Sequence, residues 1–490
     1  MLIYLLLAAP LVTGLLCRVV PGQATIERVN ILGALVTCGA GVALGLRVFM
    51  DGPVTARGAF FRVDALSALL ILLIAIVGLC AAIYSVGYLR HDVAVGEAPA
   101  DQLPWYYLGY HIFILTMLLS GVVNNLGILW AAIEATTIVS ALLVGFYRHA
   151  AALEAAWKYL VLNTVGITFA LFGVLLTYYA AVHALGEGAG LNWTTLMGHA
   201  GQLDPGVMRV AFVFVVIGFG TKAGFAPMHT WLPDAHSQAP SPISALLSGV
   251  LLNCALYGIL RFYLVATGTL GPAFPSRLLI AFGLLSVAVA LPFLLVQTDI
   301  KRLLAYSSVE HIGLIAVAIG IGGPIGIYAA ILHLINHSVT KALLFFLSGE
   351  LVQRYGTRRI RAIRGVVGAT PLLGSLVLIG VLAITGLPPF GMFVSELSIF
   401  VAGFRAGYGI VTVVLIALLA LIFTAIFGHF GGMVFGSPVK RTLANTDLDR
   451  ASIALFGLLA LAIIVLGVYV PPPLTAAIQQ IVRLFTGGTA

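Results

Sequence analysis

The chain is a succession of apolar runs of about 20 residues, each long enough for the roughly 30 Å hydrocarbon core of a bilayer. Membrane helices are expected over 2–20, 28–49, 64–88, 105–123, 126–147, 157–182, 209–240, 242–266, 276–296, 303–322, 325–349, 366–402, 409–436 and 452–470, about 14 in all. Two of these runs are interrupted. After the apolar stretch AFVFVVIGFGT come Lys222, Gly224, Pro227, His229, Pro233, Asp234 and His236 before apolar residues resume at Pro242. A second run stops and restarts around Thr385-Gly386-Leu387-Pro388-Pro389-Phe390-Gly391. A broken helix at membrane depth survives only where protein or a hydrated cavity satisfies its free backbone groups. A lysine there costs roughly 2.5–3.5 kcal/mol, so it must pair, face water or carry charge. Both features point to an ion pathway.

The breaks lie about 161 residues apart, and paired interruptions are the mark of two structural repeats with sites near mid-membrane. The expected organisation is helices 1–3 over 1–104, one five-helix repeat over 105–266, a second over 267–436, and a last helix with a short interfacial tail over 437–490. Five crossings reverse the direction of entry, so the repeats must be inverted. The fold class is all-α, polytopic, with discontinuous helices 7 and 12.

Composition narrows the class further. Hydrophobic residues make up 61% of the 490 and charged ones 9%, against roughly 25% charged in a soluble domain. The net charge of +8 therefore reflects loop cations that set orientation rather than a nucleic-acid partner. Arg148, Lys158, Lys301, Arg302, Arg354, Arg358, Arg359, Arg361, Arg364, Lys440 and Arg441 follow odd-numbered helices, while 267–276 is nearly free of charge. That asymmetry puts the loops after odd-numbered helices in the cytoplasm and both termini outside; the expected location is a bacterial or archaeal cytoplasmic (inner) membrane. The N-terminal run lacks a basic leader and is expected to be a retained helix. Cys17, Cys38, Cys80 and Cys254 stand singly, without the spacing of a zinc or iron–sulfur site. No catalytic, metal or redox site is expected in this chain.

The candidate chemistry is a set of titratable groups at membrane depth. Glu134, flanked by apolar residues, is expected to partner Lys222, each modulating the other's charge; a protonated, hydrogen-bonded carboxyl is the structural alternative. His333, His337 and Lys341 recur every fourth residue and form one stripe on one helix. Three readings stay open for it: a proton relay, which suits imidazole, a packed hydrogen-bonded stripe, and a metal site. Glu396, about two turns beyond the second break, is a terminal titratable group or an interfacial glutamate. His229, Asp234 and His236 are mouth residues or solvated loop residues. Glu310 and His311 bridge the two halves. Asp299, Lys301 and Arg302 read as a structural ion pair. Arg261, Lys158 and Glu154 read as helix-end markers, Lys158 with a second reading at an entrance.

With these residues quoted, KAGFAPMHTWLPDAHSQAPSPISALLSG (222–249), QTDIKRLLAYSS (297–308) and HLINHSVTKALLFFLSG (333–349) resemble the antiporter-like proton-translocating subunits. These occur in respiratory complex I, Mrp-type cation/proton antiporters and group 4 membrane-bound [NiFe]-hydrogenases. The resemblance covers roughly 60–440 and implies 14 helices with inverted five-helix repeats. It implies a pathway role for Glu134, Lys222, His333, His337, Lys341 and Glu396. Asn253 departs from the pattern, standing where many relatives carry lysine, so the link from Lys222 to the histidines must run through water or another group. Asn253, SSVEHIG (307–313) and the compact C-terminus lean toward the hydrogenase-4 component F type.

The resemblance implies no cofactor in this chain, Ni–Fe and Fe–S centres in partner subunits, other membrane subunits and a peripheral redox arm. The expected function is a proton-translocating subunit of a redox-driven, hydrogenase- or formate hydrogenlyase-like complex. The alternatives are a subunit of a Mrp-like Na+/H+ antiporter, a complex I antiporter-like subunit, or the membrane half of an inorganic-carbon uptake complex.

Overall fold

The computed structural model describes residues 1–186, 190–437 and 448–487; the basic pair Lys440 and Arg441 lies outside them. Among the described residues, 13 helices are long and apolar enough to cross a membrane. Two shorter ones, Pro371–Ile384 and Gly391–Arg405, meet end to end at the second interruption. Several helices outrun their apolar stretch because polar residues continue the backbone ladder: Ala150–Leu185 carries 36 residues and Gly323–Tyr355 carries 33. A two-stranded antiparallel hairpin, Val54–Ala56 against Phe61–Val63, was not legible in the hydropathy pattern. The closing segment forms an amphipathic helix, Pro472–Thr486, tied by Gln480 Nε2 to the carbonyl of Phe49 (3.0 Å).

Both interruptions end in the same way. The helix Pro205–Ala223 stops at Gly224, φ +87°, with Phe225 N–H on the Gly220 carbonyl (2.8 Å) and Gly224 N–H on that of Thr221 (3.2 Å). Pro371–Ile384 stops before Gly386, φ +67°, with Leu387 N–H on Leu382 (3.2 Å) and Gly386 N–H on Ala383 (3.1 Å). Each is a Schellman closure, which uses a residue with positive φ to satisfy the last carbonyls of a helix. A cis peptide follows each closure, Ala226–Pro227 and Pro388–Pro389.

Neighbouring side chains satisfy the freed backbone. Ala226 N–H donates to Ser286 Oγ (2.9 Å), Trp231 Nε1–H to the Thr221 carbonyl (2.8 Å), and Asn336 Nδ2 to the Gly391 carbonyl (2.7 Å). Close packing brings the first break to its partners. A Cβ on Gly218 would lie 2.2 Å from the Ala170 nitrogen, so the helices Pro205–Ala223 and Ala150–Leu185 touch backbone to backbone. Three helices, Ser241–Leu270, Ile300–Ile321 and Gly323–Tyr355, form the enclosed centre.

Candidate proton pathway

Lys222, the last-turn residue before the first break, is fully buried. Its Nζ donates to Thr137 Oγ1 (2.9 Å) and Tyr159 Oη (2.5 Å), and lies 4.7 Å from the centre of the Tyr159 ring. Thr137 in turn donates to Glu134 Oε2 (3.1 Å), and Thr164 Oγ1 donates to Oε1 (3.2 Å). Glu134 and Lys222 are therefore partners at one remove. The Thr137 hydroxyl stands between them. Glu134 is half-buried rather than enclosed, and Thr164 beside it is exposed. A hydroxyl that accepts from an ammonium and donates to a carboxylate can relay a proton without holding the charge.

The mouth residues assemble on the side carrying the basic loops. Lys158 Nζ contacts Glu154 (2.6 Å) and Asp234 (3.5 Å), and Asp234 is also bound by Arg302. They line a cavity of about 100 Å³ with Ala151, Ala155 and Gln238. Lys158 and Asp234 thus meet at one entrance. His229 does not join them: it is buried edge-on against the stacked rings of Phe293 and Tyr306 with Nδ1 unpartnered. His236 is also buried, stacked on Phe345 at 4.7 Å with both ring nitrogens unpartnered. Neither histidine is a solvated loop residue.

Asn253 follows a π-helical turn, Leu247–Leu251, in the central helix Ser241–Leu270; such turns recur at functional sites. Its Nδ2 donates to the Gly249 carbonyl (2.8 Å) and to Ser338 Oγ (2.9 Å), leaving Oδ1 unpartnered. Ser338 is the residue after His337, so the amide connects the first half to the histidine stripe.

The stripe itself is only part of the second cluster. His333 Nε2 meets His311 Nδ1 (3.2 Å), and His333 Nδ1 meets Ser395 Oγ (2.9 Å), the residue before Glu396. The His337 ring lies 5.6 Å from that of His311 and has no partner at either nitrogen. Lys341 donates to Ser307 Oγ (2.5 Å) and the Leu304 carbonyl (2.8 Å). Glu310 is buried with Oε2 unpartnered. Glu396 is 8% exposed, and a Cβ on Gly386 would fall 2.1 Å from its Oε2. The carboxylate therefore rests on the glycine that closes the preceding half-helix.

Ligand-type atoms of His311, His333 and Glu396 lie within 4.8 Å of one another. Any metal reading therefore shifts from His333 and His337 to this trio. Both nitrogens of His333 already engage Ser395 and His311, an arrangement suited to passing protons.

Three features escaped sequence reasoning. Arg261 is not a helix-end marker: it is fully buried, donating to both Asp64 oxygens (2.8 and 2.5 Å) and stacked 4.0 Å over Trp193. Nothing in the spacing of residues 64 and 261 signals that pair. Asp299 caps Ile300–Ile321 and contacts Arg358 (3.7 Å), while Lys301 is buried with Nζ on the Ala239 carbonyl (2.5 Å). The expected Asp299–Lys301–Arg302 ion pair is thus redistributed over three elements. His311, expected with Glu310 as a bridge between the halves, is a direct partner of His333, a contact the sequence did not signal.

Residues 123–426 match the family model for the transmembrane part of NADH:quinone oxidoreductase and Mrp antiporters. The chain belongs to that antiporter-like family. Residues 59–96 also match the model for the N-terminus of complex I chain 5. The hydrogenase-4 component F homolog of Methylacidiphilum infernorum (isolate V4) is 39% identical over 416 residues, 85% of this chain and 86% of that one. The solved structure of membrane-bound sulfane sulfur reductase, an archaeal respiratory membrane complex, superposes with TM-score 0.87 at 27% identity. It covers 99% of this chain and 97% of that one. The Mrp complex from Dietzia sp. DQ12-45-1b shares the fold, TM-score 0.84 at 22% identity over 99% and 97% of the two chains. This antiporter-like subunit is a multi-pass integral membrane protein.

Proposed function

We propose that this subunit translocates protons within a redox-driven membrane complex of the group 4 [NiFe]-hydrogenase or formate hydrogenlyase-like kind. The observation that carries the reading is the row of buried polar groups with unsatisfied atoms along the centre: Asn253 Oδ1, His337 at both nitrogens, Glu310 Oε2 and His311 Nε2. A buried polar atom without a partner costs about 1–3 kcal/mol, and water is the partner that also conducts protons. Protons enter by Lys158 and Asp234 and load the Glu134–Thr137–Lys222 cluster. They cross by Asn253 to His337 and Lys341, then reach Glu310, His311, His333 and Glu396. Redox events elsewhere shift the charge of Glu134 and Lys222, and each buried charge biases the next.

The chain is read as two inverted five-helix repeats, 105–266 and 267–436, with both termini outside a bacterial or archaeal inner membrane. Ni–Fe and Fe–S centres belong to partner subunits, and a peripheral redox arm docks on the basic side. The identity to the component F homolog over most of both chains supports this over Mrp-like antiport. Intact-complex mass spectrometry through a tag on this chain tests it. Co-purifying nickel- and iron–sulfur-binding subunits uphold the redox pump; small hydrophobic partners alone would transfer the function to cation/proton exchange.

A further inference from the structure

Among the described residues, of the buried acids that the pathway above does not use, Glu27 and Asp64 each pair with an arginine and Asp92 does not. Asp92, near the end of the helix Ala65–Ala94, is 4% exposed. It accepts hydrogen bonds from the Tyr147 hydroxyl (2.6 Å) and Gln353 Nε2 (2.8 Å), and His91 Nδ1 lies 3.7 Å away at the half-exposed rim. Tyr147 borders the basic loop after the Glu134 helix, and Gln353 ends the histidine helix. The acid thus joins three elements on the side of the basic loops.

A polar seam leads inward from it. The Tyr147 and Tyr88 hydroxyls meet at 3.1 Å, and Tyr88 neighbours Ser241, the first residue of the central helix Ser241–Leu270. Ser241 Oγ is buried and unpartnered. The seam is kept open by the absence of a side chain at Gly349, where a Cβ would lie 2.6 Å from Tyr84 Oη and 2.9 Å from Ser241 Oγ. Beyond it sits His236, unpartnered at both nitrogens, its carbonyl held by Ser244 Oγ (3.0 Å). A mere staple between helices accounts for Asp92, Tyr147 and Gln353. It does not account for Ser241 and His236, which meet at the start of one helix through Ser244 and are buried with Oγ and both ring nitrogens unpartnered.

The geometry points to a second proton intake, headed by Asp92 and passing Tyr147, Tyr88 and Ser241 to His236. It fills the second half of the axis without passing Glu134 and Lys222. One proton enters at the Asp92 carboxylate and one arrives at the His236 imidazole; each hydroxyl between accepts one and gives one, and water spans Ser241 to His236. The inference rests on the proton-translocating function proposed above.

The test is proton uptake by proteoliposomes of the whole purified complex, driven by an imposed potassium–valinomycin potential and read with an internal pH dye. Asp92→Asn and Lys222→Ala are each expected to slow uptake roughly twofold, and the double variant to bring it to the lipid background, the signature of parallel routes. Asp92→Glu should keep the wild-type rate at unchanged thermal stability, and Gly349→Ala should match Asp92→Asn. An Asp92→Asn complex with wild-type uptake, or a double variant no slower than the slower single one, overturns the second intake. A wild-type complex that takes up no protons overturns the proposed function instead, and the intake with it.

Discussion

The two broken helices share a backbone and differ in where they keep their charge. The same number of residues separates Gly224 from Gly386, Pro227 from Pro389, and Asp234 from Glu396. In the first, the buried ionisable group is a lysine just before the break, at the carbonyl end of a half-helix. In the second it is a glutamate just after the break, near the amide end of the next half-helix. Lys222, in the last turn of its half-helix, sits where the helix dipole favours its sign, an effect of about 0.3–1 kcal/mol at exposed sites and more when buried. Glu396 is the sixth residue of Gly391–Arg405 and rests instead on Gly386. The equivalent positions have other duties. Ile384, the counterpart of Lys222, is plain core. Asp234, the counterpart of Glu396, lies in the outer cleft bound to Arg302 and Lys158. A repeated backbone thus supplies two charge-holding positions at each break, and the neighbours decide which one is used.

The strongest attack on this comparison is Lys222→Ala. It should slow redox-coupled proton translocation in inside-out vesicles by about 100-fold, the scale of a lost acid–base group, with the complex still assembled, because redox events act through Glu134 and Lys222 even where uptake driven by an imposed potential still runs through Asp92. Normal coupling in an assembled complex would show that the first break is structural. Glu396→Gln should cost about 30-fold on the same scale, because the amide keeps the shape and loses the proton; an unchanged rate would move the end of the relay back to His333.

The glycines sharpen the contrast. Gly386→Ala places a methyl 2.1 Å from Glu396 Oε2, whereas Gly224→Ala meets only the Leu232 Cδ1 at 2.8 Å. Both pay for a left-handed backbone, more than about 1 kcal/mol. Only Gly386→Ala should also lower translocation, by roughly tenfold, since displacing a reacting group by about 1 Å has that order of effect. Equal transport rates at equal thermal stability would mean that the Glu396 position is uncritical. Thr137→Val should have the smallest effect, about threefold, because water can replace the hydroxyl between Lys222 and Glu134. An effect as large as that of Lys222→Ala would mark Thr137 as an obligatory carrier.

Much of this was legible because membrane burial enforces simple rules. A lysine, two proline-containing interruptions and an every-fourth histidine row stand out against 61% hydrophobic residues, and the interrupted spans lie where hydropathy puts them. Helix ends were less legible, since a backbone ladder continues into polar residues at no cost once it reaches the headgroups. Pairings between distant segments were not legible at all. Asp64 with Arg261, Asp92 with Tyr147 and Gln353, and His311 with His333 depend on which helix faces touch.

The sequence by itself determined that the chain spans a membrane, where its spans are interrupted, and that Lys222, His333, His337 and Lys341 lie within them. Those properties follow from the cost of burying charge and unsatisfied backbone in hydrocarbon, which each segment meets on its own. The tertiary structure alone decided that Thr137 separates Lys222 from Glu134, that His333 meets His311, and that the Glu396 carboxylate rests on Gly386. Relay chemistry depends on separations of about 3 Å, and those are fixed only when helices far apart in the chain pack against one another.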